Sequence, residues 1–552
     1  MSKLRFTFDG HDRTAAPDLS VAAALTECGT QAFRRTDSDA QRGIFCGMGV
    51  CQDCLVAIDG VPNQRACMTP LRDGMQIETQ IARPKLTAPP AQKKAAKRLT
   101  PAVLVIGGGA GGLNAAIAAR EEGADVLLLD ERKVPGGQYF KQSASPDATP
   151  LDPQQADGKA LLRTALDAGV QIQSQTEVWG AFDGPEIMAS DPECVYAIRP
   201  RALIVATGAY ERPAMIPGWT LPGVMTVGAA QTLWRSYRTL SGRRIALFGN
   251  GPLTAQVALE LANGGAEIVL LGEAASSPWK RTQAATRMLR SDPRLTIKGI
   301  RMLAELRRQG VSLRHMTKPT KIEQTDSGLW VSYEVHGRTK QVEADAVCLN
   351  FGFQPQNEIL RLLGTKMRFD SRYDQLRPER SEMMETSVHG VFAVGDCCGL
   401  GGAPAAAVEG RIAGRAAAGS KVTHTKEQSE LSSHRAFQDA LWQVYAATPV
   451  QLETVTPDTI VCRCEEITKR VLDDAMGNGH TDIGAVKRAT RVGMGRCQGR
   501  YCGPALAGYM ARRLDLDVQD LSFFAPRIPI KPVDIGTLVA AENLLDQDGS
   551  DD

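Results

Sequence analysis

The sequence predicts a multidomain α/β protein with three folded parts. Two apolar runs that each end in closely spaced glycines, at Ala102 to Gly112 and from Arg244 onward, predict nucleotide-binding units in the middle of the chain. Eight of the thirteen cysteines fall into two groups of four, one on each side of these units. At 552 residues the chain has room for about three to four domains of roughly 150 residues each.

The overall composition argues against two classes of partner. Charged residues make up 23% of the chain, aromatic residues 5%, and the formal net charge is +2. Such a chain has no overall positive electrostatic field that would attract nucleic acid or an anionic membrane. It also has few aromatic rings on which bases could stack. The N-terminal M-S-K-L-R-F-T-F-D-G lacks the apolar segment of a secretory signal, so we expect a cytoplasmic protein with no membrane span. In that compartment grouped cysteines more often bind metal than form disulfides.

Residues 1 to 81 are predicted to be a small α/β domain around a cysteine-rich loop. We expect strands at Leu4 to Phe8, Cys54 to Ile58 and Gln76 to Gln80, and a helix at Val21 to Cys28. The loop G-I-F-C-G-M-G-V-C-Q-D-C opens a C-x4-C-x2-C-x12-C array, the spacing with which plant-type ferredoxins hold a 2Fe–2S cluster. Zinc and unligated buried cysteines are the alternatives. The four cysteines are Cys46, Cys51, Cys54 and Cys67.

Residues 82 to 100 are predicted to be a linker. They are rich in proline, alanine and lysine, which makes a tether that is semi-rigid at its prolines. The basic run could steer an acidic partner, but a solvated tether is the favoured interpretation.

A strand, a glycine turn and a helix are predicted between Ala102 and Arg120. The apolar run Val103 to Ile106 ends in glycines at G-x-G-x-x-G spacing. In such a turn the first glycine bends the chain, the second lets a pyrophosphate touch the backbone, and the third lets helix and strand pack closely. The glycines are Gly107, Gly109 and Gly112. Five glycines between Ala102 and Ala119 argue against reading that uncharged window as a membrane helix.

Further segments complete this first unit. A second strand, Asp125 to Leu129, delivers Asp130 and Glu131, where an acid can accept a hydrogen bond from a ribose hydroxyl. Three more motifs follow along the chain: P-G-G-Q at Pro135 to Gln138, L-I-V-A-T-G at Leu203 to Gly208, and G-V-F-A-V-G-D at Gly390 to Asp396.

A second unit of the same type interrupts the first. Its strand Arg244 to Phe248 is followed by G-N-G-P-L-T, in which Thr254 stands where a third glycine is expected. An acid at the end of the second strand, here Glu273, without a nearby arginine would favour NAD over NADP. NAD, another adenine nucleotide, or a degenerate structural domain all stay open. The expected contacts are Gly249, Gly251 and Glu273.

The C-terminal part carries the second group of cysteines. Residues 421 to 456 are predicted to be a helical connector, and residues 457 to 520 contain a C-x-C pair and a distant C-x4-C pair. Helices are expected at Lys469 to Met476 and Asp482 to Arg491, and zinc stays an alternative to a cluster. The cysteines are Cys462, Cys464, Cys497 and Cys502. Residues 521 to 552 contain too many prolines for a helix and are predicted to be an extended tail.

The ordered motifs of residues 101 to 420 resemble the two-dinucleotide-domain flavoproteins of the pyridine-nucleotide-disulfide oxidoreductase superfamily. The resemblance implies that residues 101–240 and 345–420 form a Rossmann-like FAD domain and that residues 241–344 form the inserted NAD-type domain. It does not extend to dithiol chemistry, because the chain lacks the redox cysteine pair at either place where that superfamily carries one. The residues assigned to FAD are Gly107, Gly109, Gly112, Asp130 or Glu131, Gly137, Gln138, Thr207, Gly208 and Asp396.

The cysteine groups extend the resemblance to both ends of the chain. The first implies a β-grasp ferredoxin-like domain, and the second resembles the small helical 2Fe–2S domain of bacterioferritin-associated ferredoxin (BFD). The complete order is similar to the alpha subunits of heteromeric amine and imino-acid oxidoreductases, such as opine oxidases, hydrogen cyanide synthase and sarcosine oxidase. Many opine-type members carry the plant-type cluster on a separate small chain, whereas here it is fused.

That family implies an oxidoreductase subunit that carries FAD and two 2Fe–2S clusters. In the family, an FAD-containing beta subunit shaped like D-amino-acid oxidase attacks the C–N bond of an opine, an N-substituted amino acid or an imino acid. Electrons then reach the alpha subunit, in some members through FMN at the interface, and leave for a downstream acceptor.

No catalytic acid, base or nucleophile is assigned, since H-E-x-x-H, Walker A and G-x-S-x-G motifs are all missing. The competing hypothesis is a self-contained NADH-dependent reductase that feeds an oxygenase or another partner. A nonredox scaffold is a third and weaker one, because eight well-placed thiols argue against it.

Overall fold

A computed structural model of the chain describes residues 3–84, 94–145, 147–420, 425–519 and 522–545. Its architecture is the mixed α/β, multidomain one that the sequence predicts. No helix in these ranges combines the length and the hydropathy that a membrane span requires.

The N-terminal domain is a five-stranded mixed sheet covered by one helix. The sheet order is β2-β1-β7-β5-β6, so two strands that the sequence did not predict, β2 and β6, form its edges. The helix α1 begins after Ser20, whose hydroxyl accepts the Ala23 N–H, and its first five residues are buried. The elements are β1 Leu4–Phe8, β2 His11–Ala15, α1 Val21–Glu27, β3 Arg34–Arg35, β4 Gln41–Arg42, β5 Leu55–Ile58, β6 Val61–Arg65 and β7 Met75–Thr79.

The prediction of a linker over residues 82 to 100 is wrong for the second half of that range. There Ala95–Leu99 forms a strand, β8, that pairs in parallel with Cys194–Ile198 at the edge of a four-stranded sheet. Residues 85–93 lie outside the described residues. Main-chain hydrogen bonds to a sheet edge need no apolar pattern, so composition alone did not reveal this strand.

The first nucleotide domain begins directly after β8. Its elements are β9 Val103–Ile106, α2 Ala110–Glu121, β10 Val126–Leu129, α3 Gly137–Phe140, α4 Pro153–Asp167, β11 Gln171–Gln173, β12 Glu177–Phe182, β13 Glu186–Ser190, β14 Cys194–Ile198, β15 Ala202–Val205 and β16 Ala209–Glu211.

The inserted second domain is larger than residues 241–344. Its parallel sheet, β17-β24-β18-β19-β20, recruits β17 from before that range and β24 from after it. The boundaries therefore move outward to about Val224 and Asn350. Its elements are β17 Val224–Thr226, α5 Val227–Tyr237, β18 Arg244–Gly249, α6 Pro252–Asn263, β19 Glu267–Glu273, a 3₁₀ turn Pro278–Lys280, α7 Thr282–Ser291, α8 Pro293–Arg308, β20 Leu313–His315, β21 Thr317–Thr325, β22 Gly328–Val335, β23 Arg338–Ala344 and β24 Ala346–Asn350.

The chain then returns to the first domain and completes its parallel sheet, ordered β11-β10-β9-β15-β28. The helices α2 and α10 pack against each other on this sheet. The strands β9, β10 and β15 are entirely buried and apolar, as in sheets covered on both faces. The returning elements are β25 Phe353–Pro355, α9 Glu358–Leu362, β26 Met367–Asp370, β27 Gln375–Pro378, β28 Val391–Ala393 and α10 Gly402–Ala417.

The C-terminal part consists of a long connecting helix, a small helical domain and a tail. Its elements are α11 Thr425–Val444, β29 Ile460–Cys462, β30 Ile467–Thr468, α12 Lys469–Gly477, α13 Ile483–Thr490, α14 Cys502–Leu514 and α15 Ile535–Leu545. The prediction of an entirely extended tail is wrong, because α15 packs on β8 and β14. The prolines end at Pro532, and the Asp534 carboxylate then accepts the Thr537 N–H at the start of this helix.

Candidate functional site

The glycine turn after β9 is so tight that side chains are excluded at two of its positions. Gly107 has a φ of +104°, and a Cβ atom there would lie 2.4 Å from the Ala206 carbonyl oxygen. At Gly112, in the first turn of α2, a Cβ atom would lie 1.8 Å from the Gly107 carbonyl oxygen. Strand and helix approach this closely only because both residues are glycine, as a dinucleotide-binding turn requires.

A cavity of about 300 Å³ opens at this turn. Nine residues that the sequence analysis assigned to FAD line it, although they come from five separate segments. They are Gly107, Gly109, Asp130, Glu131, Gly137, Gln138, Thr207, Gly208 and Asp396. Gly112 is not in the lining but lies beneath the turn. The amino end of α2 faces the cavity, where its free N–H groups suit a phosphate.

The two candidate ribose ligands differ in what their carboxylates already contact. The Asp130 carboxylate accepts the Gly108 N–H at 2.7 Å and the Arg132 N–H at 2.8 Å, and burial raises the pKa of Asp130. The Glu131 carboxylate instead forms an ion pair with Lys531 of the tail. Because a carboxylate has about four lone-pair positions, Asp130 can still accept hydrogen bonds from a ribose.

Asp396 fixes the loop that follows β28. One of its carboxylate oxygens, Oδ1, accepts the N–H groups of Gly401 and Gly402, each at 3.0 Å. Burial raises the pKa of Asp396. Asp396 itself lines the cavity.

The N-terminal cysteine loop directs backbone amides at a sulfur atom. The N–H groups of Met48 and Cys51 point at Cys46 Sγ, with nitrogen to sulfur distances of 3.5 and 3.4 Å. All four cysteines of this group are buried. Their thiols interact in two pairs, Cys46 with Cys51 and Cys54 with Cys67.

The C-terminal cysteines repeat this arrangement. Their thiols also interact in two pairs, Cys462 with Cys502 and Cys464 with Cys497. Two pairs suit a cluster of two irons, whereas a structural zinc ion needs four ligands around one point.

The two cysteine groups lie against each other. Asp53, in the first loop, forms a buried ion pair with Arg463, which stands between Cys462 and Cys464. The Arg463 guanidinium lies 3.9 Å from the centre of the Phe45 ring. That ring also packs edge-on against Tyr501, at a centroid distance of 5.3 Å.

The Tyr501 hydroxyl shows whether the surroundings of the first cysteine group suit an iron–sulfur cluster. It is buried and has no hydrogen-bond partner among the described residues. Burial, and then the nearby thiols of Cys46 and Cys51, raise the pKa of Tyr501. A buried hydroxyl without a partner is costly, and a cluster sulfur held by these thiols would supply the acceptor.

Comparison with known families agrees with these three sites. Residues 101–414 match pyridine nucleotide-disulphide oxidoreductase, residues 1–82 match a 2Fe-2S iron-sulfur cluster binding domain, and residues 460–512 match a BFD-like [2Fe-2S] binding domain. The chain belongs to the pyridine nucleotide-disulphide oxidoreductase family. It is an oxidoreductase of the flavoprotein class with two 2Fe–2S domains, as the sequence predicts.

Individual relatives refine the place of the chain within this family. An opine oxidase subunit of Rhizobium meliloti (strain 1021) is 33% identical over 78% of this chain and 97% of the relative. The hydrogen cyanide synthase subunit HcnA of Pseudomonas aeruginosa is 45% identical over 75 residues, which are 14% of this chain and 72% of the relative. These relatives confirm the predicted resemblance to heteromeric amine oxidoreductases.

A solved structure shares the fold over almost the entire chain. The crystal structure of L-proline dehydrogenase from P. horikoshii superposes with a TM-score of 0.72 at 19% identity, covering 97% of each chain. At this identity the likeness concerns the fold alone.

In the second nucleotide unit, the carboxylate of Glu273 is already hydrogen-bonded by neighbouring groups of the same unit. Glu273 is 1% exposed and accepts hydrogen bonds from the Gly251 N–H, the Ala275 N–H and the Asn250 amide. The same amide donates to the Tyr445 carbonyl oxygen at 2.6 Å, so the chain after α11 lies against the glycine loop. Burial raises the pKa of Glu273 to about 7.

Two residues that the sequence motifs did not predict, the buried Lys141 and the half-buried Glu211, also line the cavity at the glycine turn. Lys141 Nζ donates to the Gly228 carbonyl oxygen at 2.7 Å, and burial lowers the pKa of Lys141 to about 7. The Glu211 carboxylate accepts the Gly228 N–H at 2.7 Å and the Asn350 amide at 2.6 Å, and burial raises the pKa of Glu211. The two residues stand three positions after Gln138 and Gly208, so their closeness to predicted motifs could have identified them.

The cavity also reaches the N-terminal cysteine loop. Met48, which lies between Cys46 and Cys51, is part of the cavity lining. A Cβ atom at the neighbouring Gly47 would lie 3.0 Å from Ala229 Cα, so the loop packs directly on α5. The dinucleotide cavity and the first cysteine group are therefore separated by little more than this loop.

Proposed function

We propose that the chain is the electron-transferring FAD and 2Fe–2S subunit of a heteromeric dehydrogenase or oxidase acting on a C–N bond. The substrate class would be an opine, an N-substituted amino acid or an imino acid, a choice supported by the similarity to the opine oxidase relative. The observation that carries the proposal is the position of Met48, in the cavity wall and within the first cysteine loop. A bound flavin takes up two electrons, and 2Fe–2S clusters pass them on singly.

In this proposal the residues of the chain position the groups and set their electrostatics. Gly107 and Gly109 would let the pyrophosphate approach the backbone at the amino end of α2, and Asp130 would accept the ribose hydroxyls. Lys141, held by the Gly228 carbonyl and with a pKa that burial lowers to about 7, would carry its proton below about pH 7 and supply positive charge where negative charge develops during reduction. The two thiol quartets would hold one cluster each.

The C–N bond would be broken on another chain, an FAD-containing beta subunit shaped like D-amino-acid oxidase. Three of the acids that line the cavity support this assignment, because each already accepts hydrogen bonds or pairs with a cation. Asp130 holds two amides, Glu131 pairs with Lys531, and Glu211 binds the Gly228 N–H and the Asn350 amide. Little capacity for acid or base chemistry on a substrate is therefore left on these three side chains.

NADH would not act as an electron donor at the second nucleotide unit. The occupied carboxylate of Glu273 and the contact of Asn250 with Tyr445 support this part of the proposal. NAD or another adenine nucleotide bound there would be a structural ligand, and any FMN would belong to the interface with the beta subunit.

Anaerobic reduction tests the proposal. The purified chain is mixed with NADH, and separately with a panel of opines and imino acids in the presence and absence of the co-purified partner subunit. We expect the flavin to bleach only with an amino-acid-derived substrate and the partner together. Rapid bleaching of the isolated chain by NADH would instead establish the self-contained reductase.

A further inference from the structure

The segment formed by the 3₁₀ turn Pro278–Lys280 and the helices α7 and α8 has a charge unlike that of the rest of the chain. Residues 279–308 contain nine lysines and arginines but two acids, whereas the entire chain has a formal net charge of +2. The near-neutral total therefore hides a cationic segment. Its basic residues are Lys280, Arg281, Arg287, Arg290, Arg294, Lys298, Arg301, Arg307 and Arg308.

The same segment exposes large apolar side chains. Trp279 is 87% exposed, more than any other large apolar side chain in the described part of the chain. Leu289, Ile297 and Ile300 are 46%, 43% and 61% exposed. Apolar groups this exposed, next to so many cations, indicate a surface that contacts something other than water.

On α8 the exposed residues are ordered by the helical period. Ile297, Ile300 and Ala304 are three and four positions apart and so share one stripe, which is exposed. Arg294, Arg301 and Arg308 follow at seven-residue intervals along one border of that stripe, and Arg307 lies on the other border. Thr296 and Leu306 are buried on the opposite side. The outward face is thus an apolar centre between cationic borders.

Contacts with α11 hold this surface on the domain. Arg281 donates to the carbonyl oxygens of Gln443 and Val444, and Arg287 donates to the Gln443 side chain. Arg308 pairs with Glu305, and Lys298 adds a smaller effect to that of Arg235 in lowering the pKa of Asp152. Four arginines of the surface form no ion pair with any residue that the structure describes: Arg290, Arg294, Arg301 and Arg307.

We propose that this α7–α8 surface docks the protein on an anionic membrane surface. Lipid phosphates would meet the arginine borders, while Trp279, Ile297 and Ile300 enter the boundary between headgroups and acyl chains. Amphipathic helices with basic borders and an exposed tryptophan bind bilayers in this way, and each cation near an anionic surface adds to the attraction. The docking is peripheral, and it stands independently of the substrate class proposed above.

Co-sedimentation of the full chain with lipid vesicles tests the proposal. We expect the chain to bind vesicles of equimolar phosphatidylcholine and phosphatidylglycerol, to bind pure phosphatidylcholine at least about tenfold more weakly, and to lose binding as salt is raised. The double variant Ile297→Glu/Ile300→Glu should bind the anionic vesicles at least about tenfold more weakly. The triple variant Arg294→Gln/Arg301→Gln/Arg308→Gln, which keeps the apolar stripe, should lose about a hundredfold.

The matched control lies on α15. Leu538 and Val539 are 43% and 57% exposed, close to the values for Ile297 and Ile300, but their helix is not basic. Leu538→Glu/Val539→Glu should bind vesicles like the wild type, and flavin absorbance confirms that each variant is folded. Equal binding of wild type to both vesicle types, or equal loss in test and control variants, would overturn the proposal. So would variants that keep vesicle binding but no longer co-purify with a partner protein, since the surface would then be a protein interface.

Discussion

The carboxylate of Asp53 and the guanidinium of Arg463 lie 2.5 Å apart although 410 residues separate them in the sequence. Both are buried, and each stands between cysteines that we propose as cluster ligands. Burial favours a higher pKa for Asp53, but Arg463, Arg34 and Arg42 together hold it below its usual value. One carboxylate thus compensates several buried cations at the junction of the two cysteine-bearing domains.

Removing this carboxylate should cost more than removing Arg463. Asp53→Asn leaves buried guanidinium groups uncompensated, so we expect the junction to lose about 3 to 5 kcal/mol of local stability. Arg463→Gln leaves Asp53 paired with Arg34 at 2.5 Å and should cost less. Native-state hydrogen exchange of the amides of β29 and the first cysteine loop measures both.

The exposed pair Asp458 and Arg470 provides the control for this comparison. Their side chains are 79% and 58% exposed, so Asp458→Asn should leave stability close to that of the wild type. Equal losses of local stability in Arg463→Gln and Asp53→Asn would show that Asp53 does not compensate several buried arginines on its own.

Tyr501→Phe should lower the reduction potential of the N-terminal cluster. The hydroxyl, from the C-terminal domain, is buried without a partner among the described residues, and its ring packs on Phe45 beside Cys46; hydrogen bonds to cluster sulfurs raise the potential. A tenfold change in the one-electron equilibrium corresponds to about 59 mV, which is the size of shift we expect. Redox titration followed by electron paramagnetic resonance resolves the two clusters. Tyr509→Phe, on α14 but bonded to Asp473, should leave this potential unchanged.

Cysteine replacements should each remove one cluster. Cys67→Ser and Cys497→Ser are expected to lose about half of the iron and acid-labile sulfide, because each quartet holds one two-iron cluster. Cys28→Ser, outside both quartets, should retain all of it. Metal analysis that finds zinc in place of iron at either quartet would contradict the assignment.

Lys141→Met should change how stability depends on pH. Burial lowers the pKa of Lys141 to about 7, against about 10.4 in an unfolded chain. Between these values the unfolded state binds a proton that the folded state does not, so Lys141 makes stability rise with pH from about 7 upward. The Tm of the flavin-free variant should therefore rise less than that of the wild type between about pH 7 and pH 9.

Lys133 serves as the reference, since its side chain is 48% exposed. Lys133→Met should keep the wild-type slope of Tm against pH. Identical slopes for Lys141→Met and the wild type would show that Lys141 is charged throughout this range.

Local spacing predicted the dinucleotide unit and the two 2Fe–2S domains, whereas contacts between distant segments could not be predicted from it. The cysteine quartets and glycine turns are encoded within short stretches, because a turn or a chelating loop imposes its own residue types. Lys141 and Glu211 gain their perturbed pKa values from burial that several segments create together. The strand β8 is defined by its pairing with β14, and α15 by an aspartate cap after a proline-rich stretch. None of these leaves a periodic pattern in its own sequence.

The fusion of the N-terminal domain to the flavoprotein has a kinetic consequence. HcnA, to which this domain is similar, is a subunit of its own, so a separate chain of that kind meets its partner at a rate that depends on concentration. Here a covalent tether keeps the two at an effective concentration of about millimolar or above, however dilute the solution. The rate at which electrons reach the first iron pair should consequently stay the same when the protein is diluted.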